Sequence, residues 1–154
     1  MPDTPLDSRP ILAFDHGLRR IGVAVGNALT ATASPLTTLA ARDGIPDWDA
    51  IGTMLAEWQP RALLVGLPYN LDGSRQDMTD RAEKFSRRLA GRFQMPVHLV
   101  DERLSSAEAE QRLKELRQAG SRKRVAKGDI DSAAACIILE SWLAKEGQDT
   151  HAAD

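Results

Sequence analysis

The run ALLVGLP at residues 62–68 restricts the possible folds of this chain more than any other feature. It is apolar throughout and has the length of a β-strand, so neither side of the strand carries a polar residue that would face water. A strand of this kind is typical of a sheet that is covered on both faces. We therefore expect an α/β protein that contains this segment as a buried strand.

The other elements are predicted from the spacing of apolar residues and from turn residues. Residues 10–16 and 21–26 are expected to form a hairpin, and Pro35 places a third strand, 31–39, at an edge or a bulge. Ser74 with Asp77 and Ser105 with Glu108 are capping-box patterns, each of which opens a helix. The remaining predicted elements are a strand over 97–102 and helices over 46–58, 74–93, 105–119 and 129–147.

This order of elements predicts one α/β domain with a mixed five-stranded sheet and helices on both faces. The first three strands are antiparallel, and the last two are parallel additions made through right-handed crossovers. A chain of 154 residues is long enough to bury one sizeable core. The polar ends, residues 1–9 and 147–154, are expected to fray.

Composition excludes several classes of protein. With 42% hydrophobic and 27% charged residues, the chain is expected to be folded rather than disordered. No apolar stretch approaches the roughly 20 residues that a membrane span needs, and residues 1–10 lack the apolar core of a signal peptide. We therefore expect a cytoplasmic protein. The net charge of −2 does not indicate a nucleic-acid partner, so any such function must depend on local patches.

Acidic residues stand where three of the predicted elements end or begin. Asp15 closes the first strand, Asp101 and Glu102 close the last one, and Asp131 lies in the first turn of the last helix. Ligand sites in open α/β sheets lie at the carboxyl ends of the strands. Clustered carboxylates there would suit Mg²⁺ or Mn²⁺, and two such ions can promote phosphodiester cleavage.

The neighbouring polar residues fit the same hypothesis, but each also has a simpler explanation. Arg19 and Arg20 are placed to meet phosphate, and Asn70 and Ser74 could contact it near a helix N-terminus. Alternatively, GLP (66–68) and DGS (72–74) only form a turn and a cap, and each acid is a turn residue or a helix cap. The spacing of these residues leaves both interpretations open.

Five stretches carry a resemblance to a known family. They are DHGLRRIGVAVGN (15–27), TASPLTTL (32–39), VGLPYNLDGS (65–74), VDERLSSAEA (100–109) and KGDIDSAAACIIL (127–139). In this order, they resemble the YqgF family, also called RuvX, whose first motif is D-x-G-x-x-R-I-G. The resemblance implies a ribonuclease H-like fold and a divalent-metal nuclease that acts as a Holliday junction resolvase or on pre-16S ribosomal RNA.

The resemblance also implies the acids of the site: Asp15, Asp131 and one acid of the D-E-R triplet. We favour Glu102, because its longer side chain can reach a metal held by Asp15, and keep Asp101 as the alternative. Asp129 is a weaker alternative to Asp131, because it precedes the predicted helix. The implied cofactor is Mg²⁺ or Mn²⁺, with two ions.

A local excess of positive charge precedes Asp131. Residues 111–128 contain seven Lys or Arg and one Glu. Such a run is often a solvated helix face and loop, but its place beside the acids favours phosphate binding. The predicted cationic contacts outside the first hairpin are Arg103, Arg122, Lys123, Arg124 and Lys127.

The expected function is therefore hydrolysis of phosphodiester bonds in structured nucleic acid, as in 5′-end processing of precursor 16S rRNA on the pre-ribosome during ribosome biogenesis. One alternative is a resolvase of branched DNA, for which a symmetric junction would require a dimer. Another is a ribosome-assembly factor that binds RNA without cleaving it. A monomer or a weak homodimer is expected.

Overall fold

The computed structural model describes residues 8–70, 72–101 and 127–152. The helix predicted over 105–119 and the basic residues up to 126 lie outside these ranges. No helix within them is long and apolar enough to span a membrane. The described elements are, in chain order, β1 (Ile11–His16), β2 (Arg20–Asn27), β3 (Thr32–Arg42), β4 (Ile45–Pro46), α1 (Trp48–Trp58), β5 (Ala62–Leu67), α2 (Asp77–Phe93), β6 (Val97–Asp101) and α3 (Lys127–Ala152).

The strands form one mixed sheet in the order β4-β3-β2-β1-β5-β6. Pairing is antiparallel between β1 and β2 and between β2 and β3. It is parallel between β1 and β5 and between β5 and β6. The predicted hairpin and the two parallel additions are therefore confirmed. All six residues of β5 are buried, as its apolar sequence requires.

The sheet has six strands rather than the predicted five, because a short β4 pairs with the end of β3. The turn between them contains Asp43 and Gly44, whose φ angles are 51° and 81°. Two successive positive φ values are typical of a tight hairpin turn with an Asp-Gly sequence. The expected irregularity at Pro35 is also present: Val23 pairs with Thr37 and Ala24 with Pro35, so the register shifts between these two pairs.

The first two helices begin later than the sequence predicted. Pro46 belongs to β4, and Asp47 caps α1 by accepting hydrogen bonds from the N–H groups of Asp49 (3.0 Å) and Ala50 (3.4 Å). The N-cap of α2 is Gln76, not Ser74. The buried Thr79 fixes this start, because its hydroxyl accepts from the Gln76 N–H and donates to the carbonyl of Pro68.

The last helix is longer than predicted at both ends. We expected residues 129–147, whereas α3 runs from Lys127 to Ala152. Lys127 and Gly128 are therefore helical rather than part of a loop, and Gly147 does not end the helix. A glycine inside a helix costs about 1 kcal/mol relative to alanine, which lowers helix stability without requiring a stop.

Alternation along β1 divides the core between the two faces of the sheet. Leu12 and Phe14 pack in one cluster with residues of α1 and α2. Ile11 and Ala13 pack in the other cluster with residues of α3. Successive side chains of a strand point to opposite faces, so this assignment fixes the face of every residue in β1.

The packing of α3 on β2 depends on two glycines. A Cβ at Gly22 would overlap the backbone carbonyl of Asp131, and a Cβ at Gly26 would lie 2.6 Å from Cδ2 of Leu139. The eight residues from Asp131 to Leu139 rise about 12 Å in a helix, and the four from Gly22 to Gly26 span about 13 Å in a strand. The helix therefore runs along β2 and contacts its backbone at both glycines.

Replacing Gly22 by alanine should lower the free energy of unfolding by about 1–3 kcal/mol, because the backbone of α3 must move to admit the new methyl group. Gly91→Ala is the matched control: nothing lies within 4 Å of a Cβ at this position in α2. That variant should gain about 0.5–1 kcal/mol from helix propensity. Urea denaturation measures both changes, and wild-type stability of Gly22→Ala would contradict the close contact.

Candidate active site

The carboxyl ends of β1, β5 and β6 lie side by side at one edge of the sheet. The last parallel pair between β1 and β5 is Phe14 with Val65, and Gly66 pairs with Val100 across to β6. Asp15 follows Phe14 directly. The structure therefore places Asp15 and the end of β6 at the same edge, as the sequence predicted, and Gly66 lies between them.

Asp15 and Asp131 come together on the α3 face of this edge. Asp15 has the same parity in β1 as Ile11 and Ala13, which pack against α3. It pairs with Gly22 across the hairpin, so both residues point to the same face. The backbone of Asp131 lies directly over Gly22. The helix begins at Lys127, so Asp131 lies in its second turn rather than in the first turn as predicted, and this turn brings it beside Asp15, 116 positions earlier in the chain.

Arg20 forms an ion pair with Asp131 across this site. Its Nε donates a hydrogen bond to Oδ2 of Asp131 at 2.8 Å, and both side chains are partly exposed. Arg20 has the same parity in β2 as Gly22, so it projects toward the start of α3. The sequence predicted a phosphate contact for Arg20 but did not predict this carboxylate partner.

The two acids of the D-E-R triplet are not equivalent. In β6, His98 lies 5.7 Å from the Trp142 ring of α3, and Val100 packs against the α3 cluster. Asp101 follows Val100 and therefore lies on the opposite face from Asp15. The structure does not bring Asp101 to the face that carries Asp15 and Asp131, and Glu102 lies outside the described residues.

The donor chemistry of the described site suits a hard divalent cation. Asp15 and Asp131 supply carboxylate oxygens, the ligands that Mg²⁺ and Mn²⁺ prefer. Within the described ranges, no group of three or more His, Cys, Asp or Glu side chains is placed to hold a metal ion. The described residues therefore account for two of the three acids that the sequence predicted.

Asn70 and Ser74 lie in a loop that follows β5 at the same edge. Asn70 Nδ2 donates to the Ser74 hydroxyl at 2.9 Å, and that hydroxyl donates to Oδ1 of Asp72 at 2.6 Å. Backbone bonds between Asn70 and Ser74 and between Gly73 and Asn70 close the loop. These side chains order the loop, and Ser74 is not the cap of α2.

The other predicted cationic contacts are only partly described. Arg19 is exposed in the turn between β1 and β2, beside Arg20. Lys127 and Asp129 lie in the first turn of α3, where only the backbone is described. Arg103, Arg122, Lys123 and Arg124 lie outside the described residues, so their phosphate contacts stay predictions.

His16 lies on the opposite face from its neighbour Asp15. It is 8% exposed, its ring stacks on Phe85 at 4.7 Å, and its Nε2 donates to the carbonyl of Gly44 at 2.8 Å. Burial is the main cause that lowers the pKa of His16 below 6.5; nearby Arg81 also lowers it, and the Gly44 bond opposes the shift. His16 therefore does not join the carboxylates of the site.

Comparison with known proteins gives one family for nearly the whole chain. The model of the RuvX family, described as Holliday junction resolvase, matches residues 9–145. A protein of Glaesserella parasuis named "Putative pre-16S rRNA nuclease" is 49% identical over 139 residues, which are 90% of this chain and 99% of that protein. A protein of the same name from Photobacterium profundum is 51% identical, over 91% of this chain and 97% of its own length.

Among solved structures, the chain resembles Thermus thermophilus RuvC in complex with a Holliday junction substrate. The TM-score is 0.54 at 17% identity, and the match covers 90% of this chain and 95% of RuvC. At this identity the likeness shows the fold alone. It confirms the predicted ribonuclease H-like architecture.

The burial of His16 predicts a pH dependence of stability. A lowered pKa means that the unfolded chain takes up the proton first, so stability should be retained above pH 6.5 and fall as the pH decreases below it. Unfolding free energies at pH 7.5 and 5.5 measure this loss. His16→Gln should lose less stability between the two values, whereas His98→Gln, at an exposed position, should behave like the wild type. Equal losses of unfolding free energy in all three proteins would contradict the assignment of this pH dependence to His16.

Proposed function

Because this chain belongs to the RuvX family, we propose that it is a divalent-metal-dependent nuclease that hydrolyses phosphodiester bonds in structured nucleic acid. The observation that carries the proposal is the meeting of Asp15 and Asp131 on one face of the carboxyl edge of the sheet. These acids come from opposite ends of the chain, and a fold that only bound nucleic acid would gain nothing by gathering negative charge there.

We assign three acids to the site: Asp15, Glu102 and Asp131. The alternation along β6 supports Glu102 over Asp101, because Asp101 lies on the α1 and α2 face. A side chain that follows Asp101 in an extended chain would return to the face of Asp15. Asp131 is preferred to Asp129, because the contact of its backbone with Gly22 fixes its position.

Bound Mg²⁺ or Mn²⁺, in a pair, would activate water and stabilise the leaving oxygen. The protein's own residues hold the ions and balance charge. Arg20 neutralises Asp131 in the structure described here. In the presence of substrate, its guanidinium is close enough to the site to contact a phosphate, and Arg19 is exposed beside it. This arrangement gives Arg20 two anionic partners, the carboxylate and the phosphate.

The proposed substrate is precursor 16S rRNA, processed at its 5′ end during ribosome biogenesis. The names of relatives that are about half identical over nearly their full length support this choice. A DNA junction is the second candidate, supported by the description of the family. Action on a pre-ribosome would place the protein in the cytoplasm. The proposed oligomeric state is a monomer or a weak homodimer.

Phosphate binding around the site is assigned to the remaining cations of the prediction. The segment 111–128, with its excess of six positive charges, precedes Asp131 in the chain. Asn70 and Ser74 border the same edge through the loop after β5. Contacts of this kind position a nucleic acid without reading its sequence.

The test is cleavage by four single variants on labelled precursor 16S RNA and on a four-way DNA junction, with and without Mg²⁺ or Mn²⁺. Asp15→Asn, Asp131→Asn and Glu102→Gln should each abolish cleavage, because each removes a metal ligand. Asp101→Asn is the matched control and should cleave at the wild-type rate, because its side chain lies on the other face. Far-UV circular dichroism checks that all four variants are folded.

Each result has a distinct meaning. Cleavage by Asp15→Asn at the wild-type rate would remove Asp15 from the site. Loss in Asp101→Asn with retention in Glu102→Gln would reverse the choice within the triplet. Binding of RNA without cleavage by the wild type, with either metal, would favour the assembly factor. Preference for the junction would favour the resolvase.

A further inference from the structure

A groove lies on the face of the sheet opposite to Asp15 and Asp131. It has a volume of about 480 Å³ and runs between α2 on one side and the β3–β4 turn with the start of α1 on the other. His16 and Phe85 line it, and both are buried. Since His16 follows Asp15 directly in β1, the groove and the site lie back to back across the same end of one strand.

Four cations form a row along the exposed side of α2. Arg81, Lys84, Arg88 and Arg92 are spaced three, four and four residues apart, so they lie on one helical face. The row spans about 16 Å. The first three line the groove. Arg92 continues the row, with its guanidinium carbon 4.5 Å above the ring of Trp48.

The cations of this row form no ion pair with the described acids. Within the described residues, no carboxylate lies within 4.0 Å of Arg81, Lys84, Arg88 or Arg92. Two acids on the same helix are already paired elsewhere: Arg75 contacts Asp80 at 2.6 Å and Glu83 at 2.8 Å. Asp80 also lines the groove, together with Asp43 and Asp77, so its lining carries three acids beside the three cations. Asp77 begins α2, so the positive charge increases toward the other end of the helix.

The floor of the groove offers no free aromatic face for a base. Phe85 is 3% exposed, and Trp48 stacks on Phe85 at 5.8 Å while carrying Arg92. His16 uses Nε2 for Gly44, and its buried Nδ1 has no hydrogen-bond partner among the described residues. The groove therefore has cations for phosphates but lacks a platform for stacking, which is the chemistry of backbone binding rather than base recognition.

We propose that the α2 groove binds the phosphate backbone of a nucleic-acid strand that continues from the active site over the carboxyl edge of the sheet to its opposite face. The inference rests on the proposed nuclease function, since it assigns the groove to a flanking, single-stranded part of the same substrate. Arg81, Lys84 and Arg88 contact successive phosphates, and binding is independent of sequence.

The experiment measures binding of labelled RNA hairpins, with and without a single-stranded extension, to the Asp15→Asn protein across a salt series. The wild-type groove should favour the hairpin with the extension. Replacing Arg81, Lys84 and Arg88 together by Gln should remove this preference and flatten the log–log salt dependence by about 2, since each single-strand phosphate contact contributes about 0.7.

Two neighbouring residues of α2 supply a matched pair for single substitutions. Arg88 lines the groove, whereas Arg87 does not and approaches Glu83 at 3.9 Å. Both are exposed and carry the same charge. Arg88→Gln should weaken binding of the extended hairpin and reduce the salt slope by about 0.7, while Arg87→Gln should change neither. Thermal unfolding checks that the variants retain wild-type stability.

The outcomes separate this inference from the nuclease proposal. Equal binding of the extended hairpin by Arg88→Gln and Arg87→Gln would contradict the proposed role of the groove, whatever the wild type cleaves. Groove-dependent binding, combined with a wild-type protein that cleaves neither RNA nor DNA, would support the groove and contradict the nuclease. Equally effective competition with the RNA by a mononucleotide or inorganic phosphate, at the same concentration of phosphate, would contradict a nucleic-acid strand as the occupant. Binding of a poly-glutamate peptide as tight as that of the RNA would contradict it as well.

Discussion

The approach of α3 to the backbone of β2 at Gly22 is the contact on which both the core and the candidate site depend. It seats the buried face of α3 on the sheet, and it places Asp131 next to Gly22, the residue of β2 that pairs with Asp15. Any side chain at position 22 would separate the helix from the strand. Because Gly22 has no side chain, this one residue determines both the packing of α3 on the sheet and the geometry of the site.

The two-residue period of β1 explains how one short strand serves two surfaces. Asp15 faces α3 and the proposed metal site, whereas His16 faces α2 and the groove. A shift of one residue in register would exchange them and place a carboxylate on the buried ring of Phe85. The apolar residues Ile11 to Phe14 are buried on both faces and hold the strand in this register.

Local sequence predicted the elements that local physics determines. The apolar runs gave β1, β2, β5 and β6, and Pro35 marked the bulge. Local sequence did not predict β4, a two-residue strand that is defined by its pairing. It also did not predict the start of α2, where Thr79 bonds to the turn after β5. The spacing of 81, 84, 88 and 92 was visible in the sequence, but the groove that these cations line is formed by distant elements.

The candidate site, like the fold, could be predicted from the sequence only in part. Resemblance suggested the acids, and the face on which Asp101 lies follows from alternation in β6 only once the contacts of His98 and Val100 are known. The pairing of Arg20 with Asp131 joins residues 111 positions apart. No local pattern predicts such a contact, because it exists only after α3 has docked.

The Arg20–Asp131 pair would also make the guanidinium an internal competitor for the proposed metal. A cation that uses the same oxygen must displace Arg20, so the free energy of the ion pair is subtracted from that of metal binding. For a partly exposed pair this is at most about 1 kcal/mol, or roughly a fivefold weaker affinity. The competition is mild, and a metal bound in the proposed site would free the Arg20 guanidinium for a phosphate of the proposed substrate, so that metal binding and substrate binding would favour each other.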